Sequence, residues 1–296
     1  MTYSDLMVEV FMVLSDYFFD TNGSPKPYSL RDKLNTQDDP LDEYIHHVLT
    51  EEIKNAICEK SSGPLISPDF VIFRPKLCNG VVKEKLRNDL TRIAAVEVKK
   101  VERTKGGTVA RASGLDYNTT PPCGTVRIYD ANNIPLDIRG FYLFVCQEPI
   151  PKNTNTYKVT ALALCDGNVL NQDFDLYCSI VGPREKKINL GSYRNGADRT
   201  RPMFIFANPL GTPELDRTVT LIHPAHDLPL SYKDLKLVYR LFRSLDKEQH
   251  LFYCYRRTRD IPRDHKLKDL TNPFLTPSRE VRTQPRGKFK LPIEPM

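Results

Sequence analysis

The spacing of hydrophobic side chains along the chain predicts three amphipathic helices. In the first, near the N terminus, the apolar positions are Leu6, Val10, Met12, Val13 and Phe18. In the second and most regular, over residues 41–58, they are Leu41, Ile45, Leu49, Ile53 and Ala56. In the third, over residues 232–244, they are Leu235, Val238, Leu241 and Phe242. A helix is expected at each of these places.

Short apolar runs bounded by turn residues predict strands between the helices. The first run covers residues 70–73, opened by Asp69 and closed by Pro75, and the second covers residues 93–99. Further strand candidates lie at 126–129, 141–146, 158–164, 203–206, 218–222 and 251–255. A chain of 296 residues is long enough to bury a full α/β core, with or without an appendage.

Two segments lack any periodic pattern. Residues 105–124 are rich in Gly, Thr and Pro, which predicts a loop. From residue 256 onward prolines and basic residues dominate, which predicts an irregular arm. The expected organisation is one domain over residues 1–255 with inserted loops, followed by a basic, proline-rich C-terminal arm over residues 256–296.

Composition narrows the possible partners and compartments. The formal net charge of +6 suits a polyanionic partner without proving one. The seven cysteines form no CxxC pair and several lie in apolar runs, which indicates reduced thiols and a cytoplasmic protein. No segment is long enough to cross a membrane, and no GxxxxGK phosphate-binding motif occurs, so we expect no membrane contact and no nucleotide cofactor.

The most informative chemical feature is the segment Glu97-Val98-Lys99. In a strand, residues two apart project from the same face, so the Glu97 and Lys99 side chains share one side while Val96 and Val98 pack on the other. Burying a carboxylate and an ammonium in so apolar a strand costs free energy. Their presence there therefore suggests a function.

Metal-dependent cleavage of phosphodiester bonds supplies such a role. A hard divalent ion needs only one or two protein carboxylates, because phosphate and water complete its coordination. Asp69 and Glu97 are the candidate ligands, and Lys99 is the candidate for positioning the attacking water and offsetting charge on the phosphate. The spacing by itself is weak evidence, since Glu52-Ile53-Lys54 and Asp234-Leu235-Lys236 share it. The plainer interpretation is a solvated salt bridge on an edge strand.

Pro68-Asp69 together with Glu97-Val98-Lys99 resembles the PD-(D/E)xK nuclease superfamily, over roughly residues 41–148. The resemblance implies a mixed central β-sheet flanked by helices, with an αβββαβ core that the helix at 41–58 leads. It also implies Mg²⁺ as cofactor, which Mn²⁺ can replace. In some members the leading helix donates a further acid, which makes Glu52 a third candidate metal ligand. The chain departs from the family at 105–124, where a loop stands in place of the expected helix.

Within the superfamily the chain is most similar to type II restriction endonucleases, which implies a homodimer that cuts double-stranded DNA at a short sequence. Loop residues with donors suited to phosphates and base edges are candidates for DNA binding. They are Lys105, Arg111, Arg194, Asn195, Arg199 and Arg201. Two rivals remain: a repair or junction-cleaving nuclease with the same chemistry, and a catalytically silent DNA-binding protein.

Overall fold

The computed structural model describes residues 3–35, 38–61, 68–104, 106–109, 115–117, 124–151, 155–170, 190–194, 198–202, 204–206, 208–245 and 248–271. The helices bounded within these residues are α1 (Leu6–Phe18), α2 (Pro40–Glu52), α3 (Pro75–Cys78), α4 (Lys83–Leu86) and α5 (Leu228–Ser231). In this part of the chain, no helix is both long and apolar enough to span a membrane.

The two long helices begin at aspartate caps. The Asp5 carboxylate accepts hydrogen bonds from the backbone N–H groups of Met7 and Val8 and so caps α1. The Asp39 carboxylate caps α2 by accepting from the N–H of Leu41. The N-terminal helix is confirmed. The second predicted helix is confirmed only as far as Glu52, because a turn at residues 54–55 ends it and a strand follows.

The strands follow one another along the chain as β1 (Pro27–Ser29), β2 (Ile57–Lys60), β3 (Phe70–Phe73), β4 (Ile93–Glu102), β5 (Leu115–Tyr117), β6 (Thr125–Tyr129), β7 (Pro135–Pro149), β8 (Thr156–Asp166), β9 (Leu190–Arg194), β10 (Asp198–Pro202), β11 (Phe204–Phe206), β12 (Val219–His223), β13 (Leu235–Leu245), β14 (Glu248–Arg257) and β15 (Lys268–Thr271). Every strand expected from the sequence is present at its predicted place, although several are longer than predicted.

One large mixed sheet organises the described residues. Its nine central strands lie in the order β15-β13-β14-β12-β8-β7-β4-β3-β2, with β1 added on β8 and β6 on β7. Strands β2, β3 and β4 form an antiparallel meander, and β7 then runs parallel to β4. The sequence of elements is therefore one helix, three antiparallel strands, a crossover and a parallel strand. Among its described residues, the crossover from β4 to β7 contains strands β5 and β6 and no helix.

The third predicted helix, over residues 232–244, is wrong. Residues 232–234 form the turn after α5, and residues 235–244 belong to β13, which pairs with β14 on one side and β15 on the other. A bulge between Leu237 and Tyr239 shifts by one residue the alternation of side chains between the two faces of the sheet. Leu235 therefore packs on one face of the sheet, and Val238 and Leu241 pack on the other. Apolar side chains on both faces of a bulged strand reproduced the spacing of a helix.

The predicted boundary at residue 255 falls inside a strand of the sheet. Strand β14 continues to Arg257, and β15 joins the sheet beside β13. Residues 256–271 therefore belong to the folded domain, because their backbone completes one edge of its sheet. The rest of the predicted arm, residues 272–296, lies outside the described residues.

Each face of the sheet carries its own core. On the first face, which we call the helix side, α1 and α2 cover alternate residues of the strands, including Phe70, Val96 and Val98. On the opposite face a second cluster includes Val101, Tyr142 and Phe144. A smaller third cluster consists of Leu86, Ile93, Ala95 and Ile138. Burial on both faces explains why residues 161–165 of β8 are continuously apolar.

Candidate active site

The junction of β3 and β4 brings Asp69 beside Glu97. The antiparallel pairing ends at Phe70 opposite Val96, so Asp69 lies one residue beyond the last pair, next to Glu97. One carboxylate oxygen of Asp69 accepts a hydrogen bond of 2.7 Å from the N–H of Val98. This bond satisfies a backbone donor of β4 where its pairing with β3 stops, and it fixes the Asp69 carboxylate against the neighbouring strand.

The Glu97 and Lys99 side chains lie together on one face of β4, as the alternation predicts. The Lys99 ammonium donates to a Glu97 carboxylate oxygen at 2.8 Å, and the two side chains are 22% and 11% exposed. Val96 and Val98 pack into the helix-side core, which confirms the predicted division between the two faces. The pair is too enclosed to be the solvated surface salt bridge of the plainer interpretation.

Lys100 occupies the other side of the strand. Its ammonium lies 3.6 Å from the carboxylate of Asp39, the residue that caps α2. The two adjacent lysines therefore face different partners: Lys99 meets a side chain of the candidate site, and Lys100 meets the start of a helix. This placement agrees with the strand register assumed from the sequence.

Burial and like charge raise the pKa values of two acids, Asp69 and Asp42. Burial, and then repulsion from Glu97, raises the pKa of Asp69 to about 7, while Lys99 and the Val98 N–H act in the opposite direction. Burial, and then repulsion from Asp69 and Asp39, raises the pKa of Asp42 to about 8. In both cases burial is the larger cause of the raised pKa, and the like charge of neighbouring acids adds to it.

Asp42 is a member of this cluster that the sequence reasoning missed. It lies in the first turn of α2, where a carboxylate is favourable simply because the backbone N–H groups carry partial positive charge. No local pattern distinguishes that ordinary role from proximity to Asp69. Only the packing of α2 against the sheet places the Asp42 charge near both Asp69 and Lys99.

Glu52 is not brought to this cluster. It is the last residue of α2, is exposed, and lines a groove with Met12 of α1 and Tyr232. Ten residues separate it from Asp42, a distance of about 15 Å along a helix. The end of α2 that approaches Asp69 is its beginning.

The predicted DNA-binding residues fall in two groups. Arg194, Arg199 and Arg201 belong to the antiparallel hairpin of β9 and β10, in which Arg194 lies opposite Asp198 and Arg199 lies opposite Tyr193. The other three, Lys105, Arg111 and Asn195, lie outside the described residues.

The donor chemistry of Asp69 and Glu97 fits a hard divalent cation. Carboxylate oxygens are the ligands that Mg²⁺ prefers, and one or two from the protein are sufficient. A bound cation would favour the ionised form of Asp69, against the burial and the repulsion from Glu97 that raise its pKa. The described residues contain no group of three or more His, Cys, Asp or Glu side chains arranged to enclose a metal by themselves. The arrangement therefore fits an open site that shares its metal with substrate and water.

The sequence comparisons with known families and curated proteins found no match. No protein-family model matches the sequence, and no curated protein is significantly similar to it.

Proposed function

We propose that this chain is a Mg²⁺-dependent endonuclease that cuts double-stranded DNA, with Asp69, Glu97 and Lys99 as its catalytic residues. The observation that carries the proposal is the convergence of these three side chains at the junction of β3 and β4. Asp69 is held by the Val98 N–H, and Glu97 is bonded to Lys99. Two carboxylates and one ammonium, all partly enclosed, are the groups that this chemistry needs.

The order of the strands supports membership of the PD-(D/E)xK superfamily. Helix α2 leads into the β2-β3-β4 meander, and β7 lies parallel to β4 on its other side. The candidate residues lie immediately before β3 and in the middle of β4, the positions that the resemblance implies. A type II restriction enzyme that works as a homodimer is the form we propose, because a two-fold symmetric protein reads a symmetric site most simply.

Each residue of the site has a definable task. Asp69 and Glu97 would hold the Mg²⁺ ion, which when bound supplies Lewis-acid activation of the phosphate and of water. Lys99 donates to Glu97 in the structure, so its ammonium is already oriented on the same face as the carboxylate. That placement suits it to stabilise negative charge that develops on the phosphate oxygens. The Val98 N–H keeps the Asp69 carboxylate from turning away.

The test is digestion of a sequenced plasmid by the purified protein. We expect discrete fragments with Mg²⁺ or Mn²⁺, binding without cutting with Ca²⁺, and no cutting with excess EDTA. Asp69→Ala and Glu97→Ala should abolish cutting and leave DNA binding intact. Cutting confined to junctions or damaged sites would identify a repair nuclease instead. Binding without cutting under every condition would leave a silent DNA-binding protein.

A further inference from the structure

A hairpin and a short helix extend the sheet beyond the candidate site. The first five residues of β7 pair only with β6, whereas the pairing of β7 with β4 starts near Gly140. The hairpin of β6 and β7 therefore projects past the beginning of β4. Helix α4, with Leu86 buried, packs beside it. We call residues 83–87 and 125–139 the basic wing.

The basic wing is built on the face of the sheet that carries the candidate site. Ile93 and Ala95 contribute to the third core cluster together with Leu86 and Ile138. Because side chains alternate along β4, Ile93 and Ala95 share their face with Glu97. The wing therefore continues the surface on which Glu97 and Lys99 lie, and its own small core holds it against the sheet.

The wing carries five basic side chains, Lys83, Lys85, Arg87, Arg127 and Arg139, against three acidic ones, Glu84, Asp130 and Asp137. Lys83, Lys85 and Arg87 are exposed, and none of them forms an ion pair with another described residue. Arg127 and Asp137 bond to each other across the hairpin at 2.8 and 3.1 Å, so their charges offset one another. A shallow open depression of about 200 Å³ lies among these groups. It is lined by Lys83, Glu84, Arg87, Arg127, Pro135 and Asp137.

We propose that the basic wing binds the phosphate backbone of duplex DNA, about five base pairs from the cleaved bond; this rests on the proposed function. Tyr142 lies opposite Glu97, and Asp137 is five residues earlier on β7. That separation is about 17 Å along a strand, which equals about five base-pair steps at 3.4 Å each for a duplex that lies along β7. Unpaired cations around an open surface suit phosphates, which position a duplex without reading its sequence.

The experiment compares two triple variants of equal charge. Lys83→Gln, Lys85→Gln and Arg87→Gln remove the unpaired cations of the wing and keep the stems of the side chains. Lys233→Gln, Lys236→Gln and Lys268→Gln remove three exposed cations near the opposite edge of the sheet, on or beside β13 and β15. Affinity for a duplex of about 30 base pairs is measured between 50 and 300 mM salt in Ca²⁺.

The wing variant should bind about tenfold to a hundredfold more weakly at moderate salt. Its slope of log affinity against log salt should fall by between two and three units, at about 0.9 unit per lost phosphate contact. The control variant should keep the slope of the unmodified protein. An unchanged slope in the wing variant, or an equal fall in both variants, overturns the proposal.

A second measurement modifies the DNA and compares the unmodified protein with the wing variant. Methylphosphonate linkages, which are uncharged, replace phosphates about five base pairs from the cleaved bond. They should weaken binding by the unmodified protein and have no further effect on the wing variant, because the two changes remove one interaction. Additive losses overturn the proposal. If the unmodified protein binds with the expected slope and never cuts, the proposed function is contradicted and the binding role of the wing is supported. If the unmodified protein cuts and the wing variant binds normally, the proposed function is supported and the binding role of the wing is contradicted.

Discussion

Lys99 and Lys100 are neighbours in the chain with different surroundings. Lys99 donates to Glu97 on the candidate site's face, whereas Lys100 approaches Asp39 at the start of α2. Lys99→Ala should therefore slow cleavage by several orders of magnitude, because it removes the charge next to the phosphate. Lys100→Ala should retain most of the rate. The measurement is single-turnover cleavage of a duplex oligonucleotide at saturating enzyme, so that weak binding is not mistaken for slow chemistry.

The comparison also tests the placement of the site on β4. If Lys100→Ala were inactive and Lys99→Ala active, the reacting groups would have to lie on the helix side of the strand. Glu97 would then have to be reassigned together with Lys99.

The pKa of Asp69 makes stability depend on pH in the absence of metal. Its folded-state pKa of about 7 lies above the unfolded value, which is about 3.9. The folded protein therefore binds more protons than the unfolded protein between these values, and stability falls as pH rises through this window. Asp69→Asn should unfold at a higher temperature than the unmodified protein at pH 8 and at a similar temperature at pH 4, in EDTA.

Thermal unfolding followed by circular dichroism at pH 4, 6 and 8 measures this difference. Mg²⁺ should stabilise the unmodified protein more at pH 8 than at pH 6, since the metal competes with the proton on Asp69. A difference in unfolding temperature between the two proteins that does not change with pH would contradict the raised pKa of Asp69.

At the scale of elements, α2 has one end at the candidate site and one end far from it. Asp42 in its first turn is close enough to Asp69 for the Asp69 charge to raise the pKa of Asp42, whereas Glu52 at its last residue is exposed. At pH 9, above the Asp42 pKa of about 8, Asp42→Asn should raise the Mg²⁺ concentration needed for half-maximal cleavage by about threefold to tenfold, because it removes negative charge that attracts the cation. Glu52→Gln is the matched control and should leave this concentration unchanged.

Measuring the cleavage rate of the two variants as a function of Mg²⁺ concentration shows which end of α2 lies near the metal. A larger effect of Glu52→Gln than of Asp42→Asn would restore Glu52 as the candidate ligand and would place the metal at the C-terminal end of α2.

Strand β13 shows why helices and strands with two buried faces are hard to distinguish locally. Leu235, Val238 and Leu241 are separated by three residues each, which is helical spacing. In the structure the bulge after Leu237 assigns them to opposite faces of one strand. Pairing with β14 and β15 supplies the hydrogen bonds that a helix would have made internally.

At the scale of the whole molecule, the segment after residue 255 ties distant parts together. The Arg257 guanidinium lies 2.8 Å from the Asp16 carboxylate of α1 and also pairs with Asp234 before β13. β15 then covers the outer edge of β13. A chain ending at residue 255 loses these contacts and exposes a strand edge.

The chain 1–255 should therefore unfold at a temperature lower by about 10 °C or more than the chain 1–271, at a few degrees for each kcal/mol. Circular dichroism during heating of the two purified chains tests this. Equal unfolding temperatures would show that residues 256–271 are the passive arm that their composition indicates.

Features that depend on a few neighbouring residues followed from the sequence alone. The first helix, the eight strands expected from apolar runs, and the shared face of Glu97 and Lys99 follow from residue spacing and from the alternation of side chains along a strand. The candidate site was identified in the same way, because an acid and a lysine in an apolar strand are costly to bury without a function.

Tertiary structure decided what depends on residues far apart in the chain. The Asp69 carboxylate is held by the Val98 N–H, and Asp42 joins them only because α2 packs across the sheet. The identity of β13 as a strand, and the inclusion of residues 256–271 in the sheet, likewise depend on backbone partners elsewhere in the chain. Hydrogen bonding between strands and burial against a distant helix are not local properties, so no local pattern specifies them.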